Sequence, residues 1–119
     1  MVAEDNLVNQ KLMVAMLERM GHRPTLAVNG IDAVDKSLQA SFDLILMDVH
    51  MPGLDGFEAT RRIRSQELAG ANRTPIIAMT ACAMTGDRER CIEAGMDDYL
   101  PKPVTLDSVL RAVKPYAAA

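Results

Sequence analysis

Three kinds of segment follow one another along the chain: a short apolar run, a polar or acidic residue where it ends, and a stretch with helical spacing. Met1-Val2-Ala3 runs into Glu4-Asp5-Asn6. Val8, Leu12, Met16 and Met20 then repeat at i+4 and predict a helix with one apolar face, stopped by Gly21 in the C′ position. Thr25 to Val28 reads as a second strand ended by Asn29-Gly30, and Ile31, Val34 and Leu38 mark a short second helix. Leu44-Ile45-Leu46-Met47 is apolar at every position, which predicts a strand covered on both faces, and it stops at Asp48. Val49 to Gly56 holds Pro52, Gly53 and Gly56 and is therefore a loop. Phe57 to Gln66 predicts a third helix with Arg61, Arg62 and Arg64 turned mostly outward. Pro75 to Met79 is another buried strand, ending at Thr80, and Asp87 to Ala94 is a short helix closed by Gly95. Asp98-Tyr99-Leu100 is a last strand before Pro101-Lys102-Pro103. Thr105 caps a final helix through Leu106, Val109, Leu110 and Val113, which Pro115 breaks.

Strands alternating with helices imply βαβ units, right-handed crossovers and a parallel sheet with helices on both faces, a three-layer αβα, doubly wound α/β domain. In such sheets the site lies outside the carboxyl ends of the strands, at the topological switch point. Four of the strand ends therefore become the place to look for chemistry. They carry Glu4 and Asp5, Asp48, Thr80, and Lys102 just past the last strand. Three carboxylates, a hydroxyl and an ammonium converge on one edge.

The composition narrows the function without naming it. At about 100–200 residues per domain, 119 residues make one domain. The fractions of 49% hydrophobic and 24% charged residues are those of an ordinary globular protein. Thirteen Lys and Arg against sixteen Asp and Glu leave −3, which argues against a nucleic-acid surface. The apolar runs fall far short of a membrane span, and the acidic start is unlike a signal peptide. Cys82 and Cys91 form no CxxC pair and are expected as free thiols in a reducing cytoplasm.

Crowded carboxylates repel, and one is driven to a raised pKa unless a cation joins them. Hard oxygen ligands in a small cluster suit Mg²⁺ (or Mn²⁺ in its place), which takes one or two protein carboxylates and keeps several waters. A dication with Lys102 balances Glu4, Asp5 and Asp48. A phosphoryl group would add about −1.5 to −2 charge, and the same cations could clamp its oxygens. Carboxylates act as nucleophiles in aspartyl-phosphate chemistry. Asp48 is the candidate acceptor, because Glu4 and Asp5 sit side by side and are better placed as a metal pair.

Glu4-Asp5-Asn6, Asp48-Val49-His50-Met51-Pro52-Gly53-Leu54-Asp55-Gly56, Met79-Thr80-Ala81 and Asp98-Tyr99-Leu100-Pro101-Lys102-Pro103 together resemble the receiver domain of two-component response regulators. The resemblance covers essentially the whole chain. Val8-Asn9-Gln10, Phe57-Glu58-Ala59-Thr60-Arg61 and Ala78-Met79-Thr80-Ala81 are most similar to receivers fused to hybrid sensor histidine kinases. The resemblance implies a flavodoxin-like fold with strand order 2-1-3-4-5. It implies that Asp48 accepts a phosphoryl group from a phosphohistidine on a histidine kinase or histidine phosphotransfer protein. Asp5, Asp48 and the backbone carbonyl of His50 would ligate Mg²⁺, with Glu4 acting through a metal-bound water. Lys102 and Thr80 would contact phosphoryl oxygens, the small Ala81 would leave phosphate access, and Tyr99 would change rotamer with Thr80. The Lys102-Pro103 peptide would be cis. His50 and Cys82 stand where receivers tune acyl-phosphate lifetime. The face of the fourth helix, fifth strand and fifth helix would switch, and could pair two copies. Location would be cytoplasmic, on a parent that can be membrane-anchored, with no nucleic acid or membrane contact through this segment.

A first strand of three apolar residues is short for an interior strand, and the end at Tyr116-Ala117-Ala118-Ala119 also reads as cut. Residues 1–119 are thus expected to be one receiver domain excised from a longer protein. Competing readings remain open at this point. An aspartyl-phosphate hydrolase of the haloacid-dehalogenase type needs an Asp two residues past the nucleophile, where His50 stands. A flavin or nucleotide binder needs a Gly- or Ser/Thr-rich loop after the first strand, where Glu4-Asp5-Asn6 stands. A pseudo-receiver that docks without phosphorylation would fit if the short first strand unseats Glu4 and Asp5.

Overall fold

A computed structural model describes residues 1–67, 73–80 and 86–116. Ala81 and Cys82 lie outside them. In chain order the elements are β1 (Val2–Ala3), α1 (Leu7–Arg19), β2 (Leu26–Ala27), α2 (Gly30–Gln39), β3 (Ile45–Asp48), α3 (Gly56–Gln66), β4 (Ile76–Thr80), α4 (Asp87–Ala94), β5 (Asp98–Pro101) and α5 (Leu106–Val113), with a 3₁₀ turn at Lys114–Tyr116. The strands form one parallel sheet in the order β2-β1-β3-β4-β5, the doubly wound arrangement the alternation called for. Among the described residues no helix is long and apolar enough to cross a membrane.

The pleat sends alternate residues of each strand to opposite faces, and each face has its own core. Ala3, Ala27, Ile45, Met47, Ile76 and Ala78 pack with residues of α2, α3 and α4. Val2, Leu46, Ile77, Met79 and Leu100 pack with Met13, Met16 and Leu17 of α1 and with Val109 and Val113 of α5. Full burial of Ile45 to Asp48 and of Ile76 to Thr80 explains their unbroken apolar runs.

Although β1 has two residues, it bonds on both sides. Val2 pairs with Leu26 and with Leu46, and Ala3 with Ala27 and with Met47. The Glu4 amide donates to the Ala27 carbonyl at 3.0 Å, so the ladder continues to the acidic pair.

Local signals set the helix ends. Asn6, Asn29, Asp55 and Thr105 each accept, through the side chain, the amide three residues on. Thr105 and Ser108 cap each other reciprocally. Gly21 (φ 87°) and Gly95 (φ 103°) end α1 and α4 in left-handed conformations. In both, the next amide reaches back five residues, His22 to Leu17 and Met96 to Cys91.

Two expectations fail. The buried stripe of α1 is Gln10, Met13, Met16 and Leu17, while Val8 (73% exposed) and Leu12 (48%) face outward. A strict i+4 row rotates about 40° per step around a helix of 3.6 residues per turn, so its ends leave any one face. The second helix forms where Ile31, Val34 and Leu38 mark it, with Gly30, Ala33 and Val34 buried and Ile31 and Leu38 exposed. The second failure is Arg64, whose side chain is only 13% exposed. Its stem crosses Gly95, where an added Cβ would lie 2.9 Å from Arg64 Cγ. Its guanidinium donates to the Gly95 and Thr74 carbonyls, Glu67 and Asp97. Those acceptors are separated from Arg64 by 3 to 33 positions, and folding alone collects them.

Candidate functional site

Each strand delivers its last residue to one edge. β1 runs directly into Glu4 and Asp5, β3 ends at Asp48 and β4 at Thr80, and the Lys102 amide donates to the Thr80 carbonyl at 2.8 Å just beyond β5. One carboxylate oxygen each from Glu4, Asp5 and Asp48 lies within 4.8 Å of the others. Glu4, Asp48 and Thr80 are about 1% exposed, whereas Asp5 is open to solvent. The pocket thus has a buried floor and an exposed acidic rim.

Lys102 enters from the side. Its Nζ is 3.0 Å from Asp48 Oδ1 and 4.0 Å from Glu4 Oε2, and the Lys102-Pro103 peptide is cis. Three carboxylates against one ammonium leave an excess of negative charge in a desolvated place. The consequence falls on Glu4, whose carboxyl is pushed up to about 7 by burial and then by the Asp48 carboxylate beside it. This donor set, all hard oxygen with uncompensated charge and one open side, fits a small divalent cation.

The floor is held by backbone. Val49 N–H donates to the Met79 carbonyl at 3.1 Å, and Gly56 N–H to the Val49 carbonyl at 3.0 Å, which ties the β3–α3 loop back under Asp48. Gly56 is required there because an added Cβ would lie 2.3 Å from the Asp48 carbonyl oxygen. Gly30 is equally constrained, its would-be Cβ 2.2 Å from the Leu54 carbonyl oxygen. The His50 amide donates to Asp48 Oδ1 at 3.2 Å and its side chain is exposed. Tyr99 is half-buried, packs on the α2–α3–α4 core and has the Arg88 guanidinium 5.8 Å from its ring centroid.

The folded chain therefore brings together Glu4, Asp5, Asp48, Thr80 and Lys102, with His50 at the mouth and Tyr99 one strand residue from Leu100. The short β1 leaves Glu4 and Asp5 seated beside Asp48, which removes the motive for a docking-only reading. Two neighbours escaped sequence reasoning. Asn9 Nδ2 donates to Glu4 Oε1 at 3.0 Å, and Gln10 Nε2 donates to the Glu4 carbonyl at 2.8 Å. The signal available was their place in the first turn of the helix that leaves the acidic pair.

A parallel sheet in this order with an acidic, lysine-lined pocket at its carboxyl edge defines a flavodoxin-like domain working at the switch point between β1 and β3. More narrowly, the chain belongs to the response regulator receiver domain family of two-component signalling, whose family profile matches residues 1–114. It is 46% identical over 109 residues to hybrid signal transduction histidine kinase I of Dictyostelium discoideum, covering 87% of this chain but only 6% of that protein's length. The receiver domain of the sensor histidine kinase PA1611 from Pseudomonas aeruginosa PAO1, solved with magnesium in its active site cleft, matches with a TM-score of 0.87 and 47% identity, over 97% of this chain and 93% of that one. A complex of the Saccharomyces cerevisiae phosphotransfer protein Ypd1 with the receiver domain of Ssk1 matches with a TM-score of 0.89 and 30% identity, over 97% of this chain and 85% of the matched chain.

Proposed function

We propose that this domain takes a phosphoryl group from a phosphohistidine onto Asp48, as the receiver segment of a hybrid histidine kinase in the cytoplasm. The observation that carries the proposal is Asp48 itself, a buried carboxylate at a strand end with Lys102 Nζ 3.0 Å from one oxygen and two more carboxylates alongside.

In the reaction, an Asp48 oxygen attacks phosphorus and the phosphorus–nitrogen bond to the donor imidazole breaks, its electron pair returning to the ring. Lys102 holds a phosphoryl oxygen and offsets the charge that its approach brings. Thr80, fixed at the end of β4, supplies a hydroxyl within the same pocket. Asp5, Asp48 and the His50 carbonyl would hold Mg²⁺ (or Mn²⁺), with Glu4 acting through a water. When bound, the ion supplies the positive charge that lets a phosphoryl dianion approach three carboxylates.

A phosphoryl group shifts a conformational equilibrium only through contacts that differ between the two states. Thr80 and Lys102 supply those contacts, and Tyr99 carries the change to the α4–β5–α5 surface, which serves as the output face. His50 at the mouth, with Cys82, tunes the lifetime of the acyl phosphate. Support for a histidine kinase or phosphotransfer protein as donor comes from the relatives named above.

Intact mass after incubation with acetyl phosphate and Mg²⁺ tests the assignment. One added phosphoryl group that disappears in Asp48→Asn and in chelator is the expected result. No addition to folded protein would overturn it.

A further inference from the structure

The Asn9-Gln10 pair plays no part in the phosphoryl chemistry above, yet both side chains spend their donors on Glu4. Gln10 is 93% buried and pins the Glu4 carbonyl, which fixes the corner where β1 turns into α1. Asn9 acts on the carboxylate. Its Nδ2 takes Oε1 at 3.0 Å, with the Asn6 amide at 3.4 Å on the same oxygen. The other oxygen, Oε2, is left turned towards Lys102 at 4.0 Å. Glu4, Asn9, Lys102 and Pro103 line one small recess of about 120 Å³ with Leu12, Met13, Met79 and Val104, so Asn9 borders the site and is hydrogen-bonded to it at Glu4.

We propose that Asn9 is a positioning residue for the cation site: its amide occupies one oxygen of Glu4 and so keeps the other presented to the water through which Glu4 holds the ion. This rests on the reading of the pocket as a Mg²⁺ site. A neutral donor suits the task, because it orients a carboxylate without adding charge to a cluster whose net charge must attract the metal. Groups that orient ligands without touching the ion are worth about 10–100-fold in metal affinity. Asn9 sits within α1, where alanine is a better helix former, so its removal leaves the helix intact.

The test is calorimetric titration of Mg²⁺ alone, without any phosphodonor, into the wild type, Asn9→Ala, Glu4→Gln and the double variant, with a melting curve in chelator for each. Asn9→Ala is expected to weaken Mg²⁺ about ten-fold while melting with the wild type, and to have almost no further effect once Glu4 is glutamine. That collapse of the effect separates action through Glu4 from a merely structural role. An unchanged dissociation constant in Asn9→Ala would overturn the inference, as would the same ten-fold loss in both backgrounds. A wild type that takes up no Mg²⁺ would overturn the metal reading itself, and this inference with it.

Discussion

Replacing Arg64 by methionine keeps an unbranched stem over Gly95 and removes every donor of the guanidinium. Four acceptors lose a partner: the Gly95 carbonyl at 2.8 Å, the Thr74 carbonyl at 2.7 Å, Glu67 at 2.7 Å and Asp97 at 2.8 Å. The loss is uneven. Gly95 and Asp97 keep Arg73, Asp97 also keeps the Ile76 amide, and Glu67 keeps the Thr74 amide. Hydrogen bonds from charged groups are worth about 1.5–3 kcal/mol each, but carboxylates that retain partners and some water recover part of that. Counting the Thr74 carbonyl in full and the others in part gives a cost of about 3 kcal/mol. For a domain of this size that lowers the melting temperature by roughly 12 °C. Because Arg64 joins the ends of α3 and α4 to the starts of β4 and β5, amide exchange should quicken first in Ile92 to Asp97. The assay is a urea titration with wild type, Arg64→Met, Asp97→Asn and both together. Coupling between the two sites should be about 1 kcal/mol or more. A loss below about 1 kcal/mol, with no coupling, would show that the guanidinium acts as an ordinary solvated charge and refute this role for Arg64.

Gly56→Ala places a methyl 2.3 Å from the Asp48 carbonyl oxygen, so it should cost about 1–3 kcal/mol and slow acetyl-phosphate labelling of Asp48, both read on one purified variant; wild-type stability would contradict the packing. Glu4 binds its proton more tightly folded than unfolded, so metal-free stability should fall as pH rises from about 4.5 to about 7 and then stop falling from this cause. Glu4→Gln should flatten that part of the profile, and Mg²⁺ affinity should rise with pH over the same range, because the ion favours the charged carboxylate. Thr105→Ala removes a reciprocal cap and should cost about 1 kcal/mol by chemical denaturation, without changing Mg²⁺ affinity. Cys82→Asn should shorten the lifetime of the phosphorylated state after donor is removed, and an unchanged decay rate would withdraw Cys82 from that role.

Much of the fold was local information and therefore legible. The unbroken apolar runs at Leu44 to Met47 and Pro75 to Met79 require strands buried on two faces, and alternation with helical segments then requires a parallel sheet. Strand ends in such a sheet share one edge, so Glu4, Asp5, Asp48, Thr80 and Lys102 could be gathered from spacing alone. The glycine stops at Gly21 and Gly95 and the cap at Thr105 are governed by the backbone within a few residues. What folding decided was everything set by partners distant in sequence. Which face of α1 is buried depends on where the sheet lies, and the i+4 row of Val8 and Leu12 carries no record of it. Arg64 looks like its exposed neighbours Arg61 and Arg62 until Gly95 and Asp97 arrive beneath it. Asn9 reads as an ordinary helix residue until the turn after β1 brings Glu4 within 3.0 Å. Residue type and spacing determine the elements and the edge where chemistry collects, because helix, strand and cap propensities act over a few residues. The worth of a single polar side chain depends on desolvation and on partners, and those exist only once the chain has closed on itself.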